Sequence, residues 1–99
     1  MNLTLTAAAQ ADVSEAATYY EQQQSGLGVK FLTDVEQTTN RIAMDPTSYP
    51  RFHSEFRNLS LKVFPYSIVY RCRTDQDVII VAVGHASRGL GYWQGRLIE

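Results

Sequence analysis

Between Ala9 and Ile42 the apolar side chains recur every three or four residues; from Phe56 onward they recur every second residue. The first period belongs to a helix lying on a core, the second to a strand with one buried face. A chain that changes period once folds as helices followed by strands, the pattern of an α+β domain. In the helical stretch Ala9, Val13, Ala16, Ala17 and Tyr20 make one stripe, which leaves Asp12, Glu15 and Glu21 to the solvated surface. Thr6 is placed to cap the start of this helix. Gln22 to Gly26 ends it, because Gly26 accepts the left-handed conformation. Phe31, Val35, Thr38 and Ile42 form a second stripe, widened by Leu32, and Asp45-Pro46 stops it. So short a link makes the two helices an antiparallel hairpin.

Leu3 and Leu5 alternate with Asn2, Thr4 and Thr6, which predicts a short strand before the helices. After an irregular connection at Tyr49-Pro50, strands are predicted over Phe56 to Val63, Tyr66 to Cys72 and Val78 to Val83. Pro65 and the polar run Thr74 to Asp77 supply the turns. The expected order is β-α-α-β-β-β, with the helix hairpin on the apolar face of an antiparallel sheet. Tyr20, Phe31, Val35, Ile42, Leu61, Ile68, Ile80 and Ala82 are the expected core. Residues 1–99 are read as a single domain, since a chain this short has no room for a second.

Hydrophobic content of 44% excludes a disordered chain. Cys72 is the single cysteine, so no intrachain disulfide forms and a reducing compartment is expected. The first six residues lack the basic and apolar regions of an export signal. The longest apolar run, Val78 to Val83, suits a strand and not a bilayer span. The expectation is a cytoplasmic protein with no membrane contact. Only His53 and His85 are present, with no ligand spacing around them, so neither a metal nor another cofactor is expected.

Charge divides the chain. Residues 1–50 carry two cations and six anions; residues 51–99 carry seven cations and four anions. Six of those seven cations are arginine, the side chain suited to bidentate contact with carboxylate or phosphate. His85, Arg88, Tyr92, Trp93 and Arg96 follow the last strand as a dense polar and aromatic set. His85 is the candidate for proton transfer. Arg88, between Gly89 and Gly91 on one side and the strand on the other, reads as an exposed loop cation that could pair with Arg71 on an anion. Tyr92 and Trp93 suit packing against the core as well as recognition.

The series Glu15 to Glu21, Gly26-Leu27-Gly28, Phe31-Leu32, Pro46, Tyr49-Pro50, Arg57 and Leu61-Lys62 resembles the first part of RelE/ParE-type toxins. Phe64 to Arg71, then Ala82 to His85, Arg88 and Tyr92-Trp93 continue the likeness over nearly the whole chain. The resemblance implies a growth-arresting toxin of a type II toxin–antitoxin system, of the kind also called plasmid stabilisation proteins. Its partner would be a cognate antitoxin that wraps a segment around it, and it would form a dimer or a hetero-oligomer with that antitoxin. Two targets follow from the resemblance. A ParE-like member poisons DNA gyrase and is not itself an enzyme; its target-binding residues would be Arg57, Lys62, Arg71, Arg88, Trp93 and Arg96. A RelE-like member cuts mRNA on the ribosome without a metal; its catalytic residues would be Arg71, His85, Arg88 and Tyr92. Asn58 and Ser60 stand where the RNA-cleaving members carry lysines, and cleavage must offset charge on the scissile phosphate. That deficit, with a net charge of −1, favours gyrase inhibition. An inactive relative that only binds antitoxin is the third reading of the same two positions.

Overall fold

The computed structural model describes residues 2–89 and 91–98. Thr6 caps as expected: its Oγ1 accepts from the Ala9 N–H at 3.1 Å, and helix α1 runs Ala7–Gln23. Helix α2, Leu27–Met44, follows after three residues, with Gly26 at φ +88° as its first cap residue. Glu21 is exposed as expected, and it reaches across this link. Its carboxylate accepts from the N–H of Gly26 and of Gly28, which satisfies donors that the start of α2 leaves free. Gly28 is packed so closely that an added Cβ would sit 2.7 Å from the Ala17 carbonyl oxygen. The two helices meet there.

Strand β1 is Asn2–Leu5, and β2 (Arg51–His53), β3 (Phe56–Ser60), β4 (Tyr66–Thr74) and β5 (Asp77–His85) follow the helices. They form one sheet in the order β1-β5-β4-β3-β2. The meander β3-β4-β5 is antiparallel as predicted. Two details go beyond the expected order. The Tyr49-Pro50 connection is followed by the extra edge strand β2, and β1 lies parallel to β5, so the sheet is mixed. Parallel neighbours need a long crossover, which the helices and meander together provide.

Both helices cover one face of the sheet. Phe31, Val35, Ile42, Leu61, Ile68, Tyr70, Val78, Ile80 and Val83 are buried between them, with Tyr20 packed on this cluster. Leu32 departs from expectation and is exposed, because Phe31 and Val35 already fill the stripe. The first meander strand also stops early, at Ser60. The Asp34 carboxylate accepts from the N–H groups of Lys62 (3.2 Å), Val63 (2.9 Å) and Phe64 (2.9 Å), turning those donors away from a ladder. Val63, expected to point with Leu59 and Leu61, is therefore left 76% exposed.

The second face carries its own apolar cluster: Phe56, Val69, Val81, Ala82 and Trp93, with Phe52, Ile79 and Tyr92 against it. Ala82 was expected under the helices. A bulge moves it: Val69 pairs with Ala82 but Tyr70 pairs with Ile80, so Val81 is an extra residue. One inserted residue reverses the alternation beyond it, sending Val83 to the helix side and Ala82 to the other. Among the described residues no helix is long and apolar enough to cross a membrane.

Candidate functional site

The chain after β5 folds back over the second face. The Ala86 N–H donates to the Pro65 carbonyl at 2.8 Å, and a 3₁₀ turn, Ala86–Arg88, follows. His85 caps that turn, its Nδ1 accepting from the Ser87 N–H at 3.0 Å. Gly89, at φ +76°, sends the chain across the sheet. Trp93 then inserts fully among Phe52, His53 and Phe56, with ring centroids at 5.7, 5.8 and 4.7 Å. Tyr92 lies on Gly84, where a Cβ would come within 1.9 Å of its hydroxyl oxygen; only glycine admits that contact.

Arg96 locks this segment. Strand β1 ends at Leu5, so among the described residues this edge of β5 has no neighbouring strand beyond Ile80. The side chains of Asp12 and Arg96 replace one. Asp12 accepts from the Val83 N–H at 3.0 Å and from both terminal nitrogens of Arg96 at 2.8 and 2.9 Å. Arg96 also donates to the Val81 carbonyl at 3.0 Å. The carboxylate is only 8% exposed and the guanidinium 26%. The hydrogen bond that it donates to Asp12, ahead of the opposing desolvation, holds the Arg96 guanidinium above its ordinary pKa. Asp12 was expected on the solvated surface. It stands at i+3 from Ala9 and i−4 from Ala16, both buried, at the border of the inward stripe, and the N–H groups of Val83 and Arg96 are what turn it from water.

Two of the proposed catalytic residues share a site. His85 and Arg88 line a hollow of about 180 Å³ at the C-terminal end of β5, with Asp12, Glu15, Tyr19 and Tyr66. Tyr92 lies on the second face and reaches only Arg88 of the two. The Arg88 guanidinium sits 4.2 Å from the centre of the Tyr92 ring, and Tyr66 meets His85 edge-on at 5.2 Å. Burial raises the Tyr92 pKa above its usual value, against the opposing pull of Arg88 and Arg96. Its hydroxyl stays neutral. In this arrangement His85 spends the lone pair of Nδ1 on Ser87, so its other nitrogen carries the hydrogen when the ring is neutral.

Arg71 is elsewhere. His85 pairs with Tyr66, and Arg71 lies five residues further along β4, about 17 Å away at strand rise. It contacts Glu55 at 3.2 Å.

The remaining candidates divide between surface and scaffold. Lys62 is exposed. Arg57 donates to the carbonyls of Thr47 (3.1 Å) and Tyr49, pinning the loop after α2. Trp93 has no exposed surface, and contact with a target would require its segment to lift. Arg73 is paired with Asp77 at 2.7 Å. Of the seven cations in the second half, Arg51, Lys62 and Arg88 alone lack both an ion-pair partner and a hydrogen-bonded carbonyl among the described residues. The other four, Arg57, Arg71, Arg73 and Arg96, are engaged within the chain, two of them in exposed pairs. Among the described residues no three His, Cys, Asp or Glu side chains converge as a metal site would require.

The family model for the ParE toxin of type II toxin–antitoxin systems, parDE, matches residues 3–90. Among solved structures, the chromosomal ParDE TA system from P. aeruginosa contains a chain similar to this one. The TM-score is 0.75 at 19% sequence identity, covering 86% of this chain and 95% of that one. At that identity the likeness is one of fold. Among curated proteins none matches.

Proposed function

The chain belongs to the ParE toxin family of type II toxin–antitoxin systems, and from that premise we propose that it arrests bacterial growth by binding DNA gyrase and is neutralised by a cognate antitoxin. The observation that carries this reading is the dispersal of the cations. A metal-free nuclease needs several of them around one phosphate together with a group free to move a proton. Here Arg71 lies about 17 Å along the strand from the pairing partner of His85. The tyrosine hydroxyl is held neutral and His85 is engaged as a cap. Lys62, Arg71 and Arg88 remain at the surface for contact with a protein target, while Arg57, Trp93 and Arg96 hold the shape that presents them. An antitoxin segment fits the outer face of α2, where Val29 and Val63 are 65% and 76% exposed beside Lys30. Burying both would contribute roughly 3 kcal/mol or more to the complex.

The test is a supercoiling assay with purified gyrase, run beside transcript integrity in a translating extract. Supercoiling should fall with added protein while mRNA stays intact. Unchanged supercoiling at saturating protein would remove the gyrase reading. The hollow that His85 and Arg88 share favours ribosome-dependent cleavage as the second reading, and cut transcripts weakened by Arg88→Ala would establish it. Unaffected growth at full soluble expression would leave an antitoxin-binding module.

A further inference from the structure

On the second face of the sheet, the Asp12–Arg96 clamp and the β2–β3 hairpin leave between them a cleft of about 330 Å³. Its floor is apolar: Phe56 and Val81 are buried and Ile79 half-buried. Its rim carries Arg71 and Arg96, with Glu55 beside Arg71. Arg96 is held rigidly, and its bonds to Asp12 and Val81 use three of its five N–H donors. Arg71 makes one bond among the described residues, to Glu55 Oε1 at 3.2 Å, with the two side chains 35% and 53% exposed. An exposed pair of that kind is weak and exchanges readily with another carboxylate.

Two guanidinium groups with spare donors above an apolar floor recognise a carboxylate carried on an apolar body. A nucleic acid is a poor match. Its chain of phosphates would meet only two cations, with the carboxylates of Asp12 and Glu55 close by. We propose that this cleft binds an acidic peptide segment with flanking aliphatic residues, supplied by a protein partner. A Glu or Asp of that segment takes Arg71, with Arg96 assisting, and its aliphatic neighbour covers Phe56, Ile79 and Val81. Glu55 occupies the carboxylate position in the free protein. The inference goes beyond gyrase inhibition and holds whichever protein supplies the segment, so growth arrest and peptide binding can fail separately.

The experiment is calorimetric titration of the full chain with acetyl-Leu-Glu-Leu-Glu-Leu-amide, its all-glutamine counterpart, and inorganic phosphate. The glutamate peptide should bind about tenfold more tightly than the glutamine peptide, as a charge-assisted bidentate contact requires. Arg71→Ala should weaken it by a similar factor. Glu55→Gln, which removes the internal competitor and spares the core, should tighten binding severalfold, so the proposal stays testable if Arg71→Ala folds poorly. Equal affinity for the two peptides, displacement by phosphate at the concentration of the peptide itself, or no change in Glu55→Gln would overturn it.

Discussion

Replacing Asp12 with alanine removes the acceptor that stands in for a missing strand. The carboxylate takes three hydrogen bonds, from Val83 N–H at 3.0 Å and from Arg96 at 2.8 and 2.9 Å. Bonds to a charged group contribute about 1.5–3 kcal/mol each, and breaking a buried pair from one side costs about 3–5 kcal/mol. Arg96 keeps 26% exposure and regains some water, while the N–H of the buried Val83 does not. The loss should therefore fall near the lower bound, at about 3 kcal/mol. For a domain of this size the total is of order 5–15 kcal/mol, so the midpoint of thermal unfolding should drop by roughly 12–24 °C. Urea unfolding followed by circular dichroism measures the change. Emission from Trp93, the single tryptophan, reports the C-terminal segment separately. Arg96→Ala and the double variant complete a cycle whose coupling should be of order 2 kcal/mol. If Asp12→Ala unfolds within about 0.5 kcal/mol of the parent, or the coupling vanishes, the clamp is only a surface pair.

Asp34→Ala frees three backbone N–H groups at Lys62, Val63 and Phe64. Water reaches the first two, so a loss of about 2–3 kcal/mol is expected by urea titration, and no change would mean the loop holds itself. Gly84→Ala drives a methyl group into Tyr92. It should red-shift Trp93 emission as the segment is displaced, and Tyr92→Ala in the same chain should restore the signal; unchanged emission refutes the contact. The Tyr70 hydroxyl donates to the Pro46 carbonyl at 2.7 Å, and burial pushes its pKa up to about 12. A folded pKa above the unfolded value near 10 leaves stability intact below pH 10 and removes it as pH rises from 10 through about 12. The loss should reach about 2–3 kcal/mol by pH 12, and Tyr70→Phe should flatten that fall.

Local signals decided the helices and the meander. The 3.6-residue stripes of Ala9 to Tyr20 and Phe31 to Ile42, the Thr6 cap and the Asp45-Pro46 stop are all written within a few residues of the element they define. The same holds for the alternation around Ile68 and Ile80 and for the turns at Pro65 and Thr74 to Asp77. Each depends on backbone and side-chain preferences that neighbours alone can satisfy. What tertiary structure decided has long sequence separation. Asp12 meets Val83 across 71 residues and Arg96 across 84, and Asp34 meets the 62–64 loop across about 30. In a helix a carboxylate beside an apolar stripe looks the same whether it faces water or orphaned N–H groups. Only the partner's arrival distinguishes the two. The parallel seat of β1 on β5 and the Val81 bulge likewise depend on which edge was open once the other strands had paired. The candidate residues follow the same division: their types were legible along the chain. That His85 and Arg88 share a hollow while Arg71 stands apart, and that Trp93 is buried, became fixed only when the C-terminal segment found the apolar face that α1 and α2 leave open.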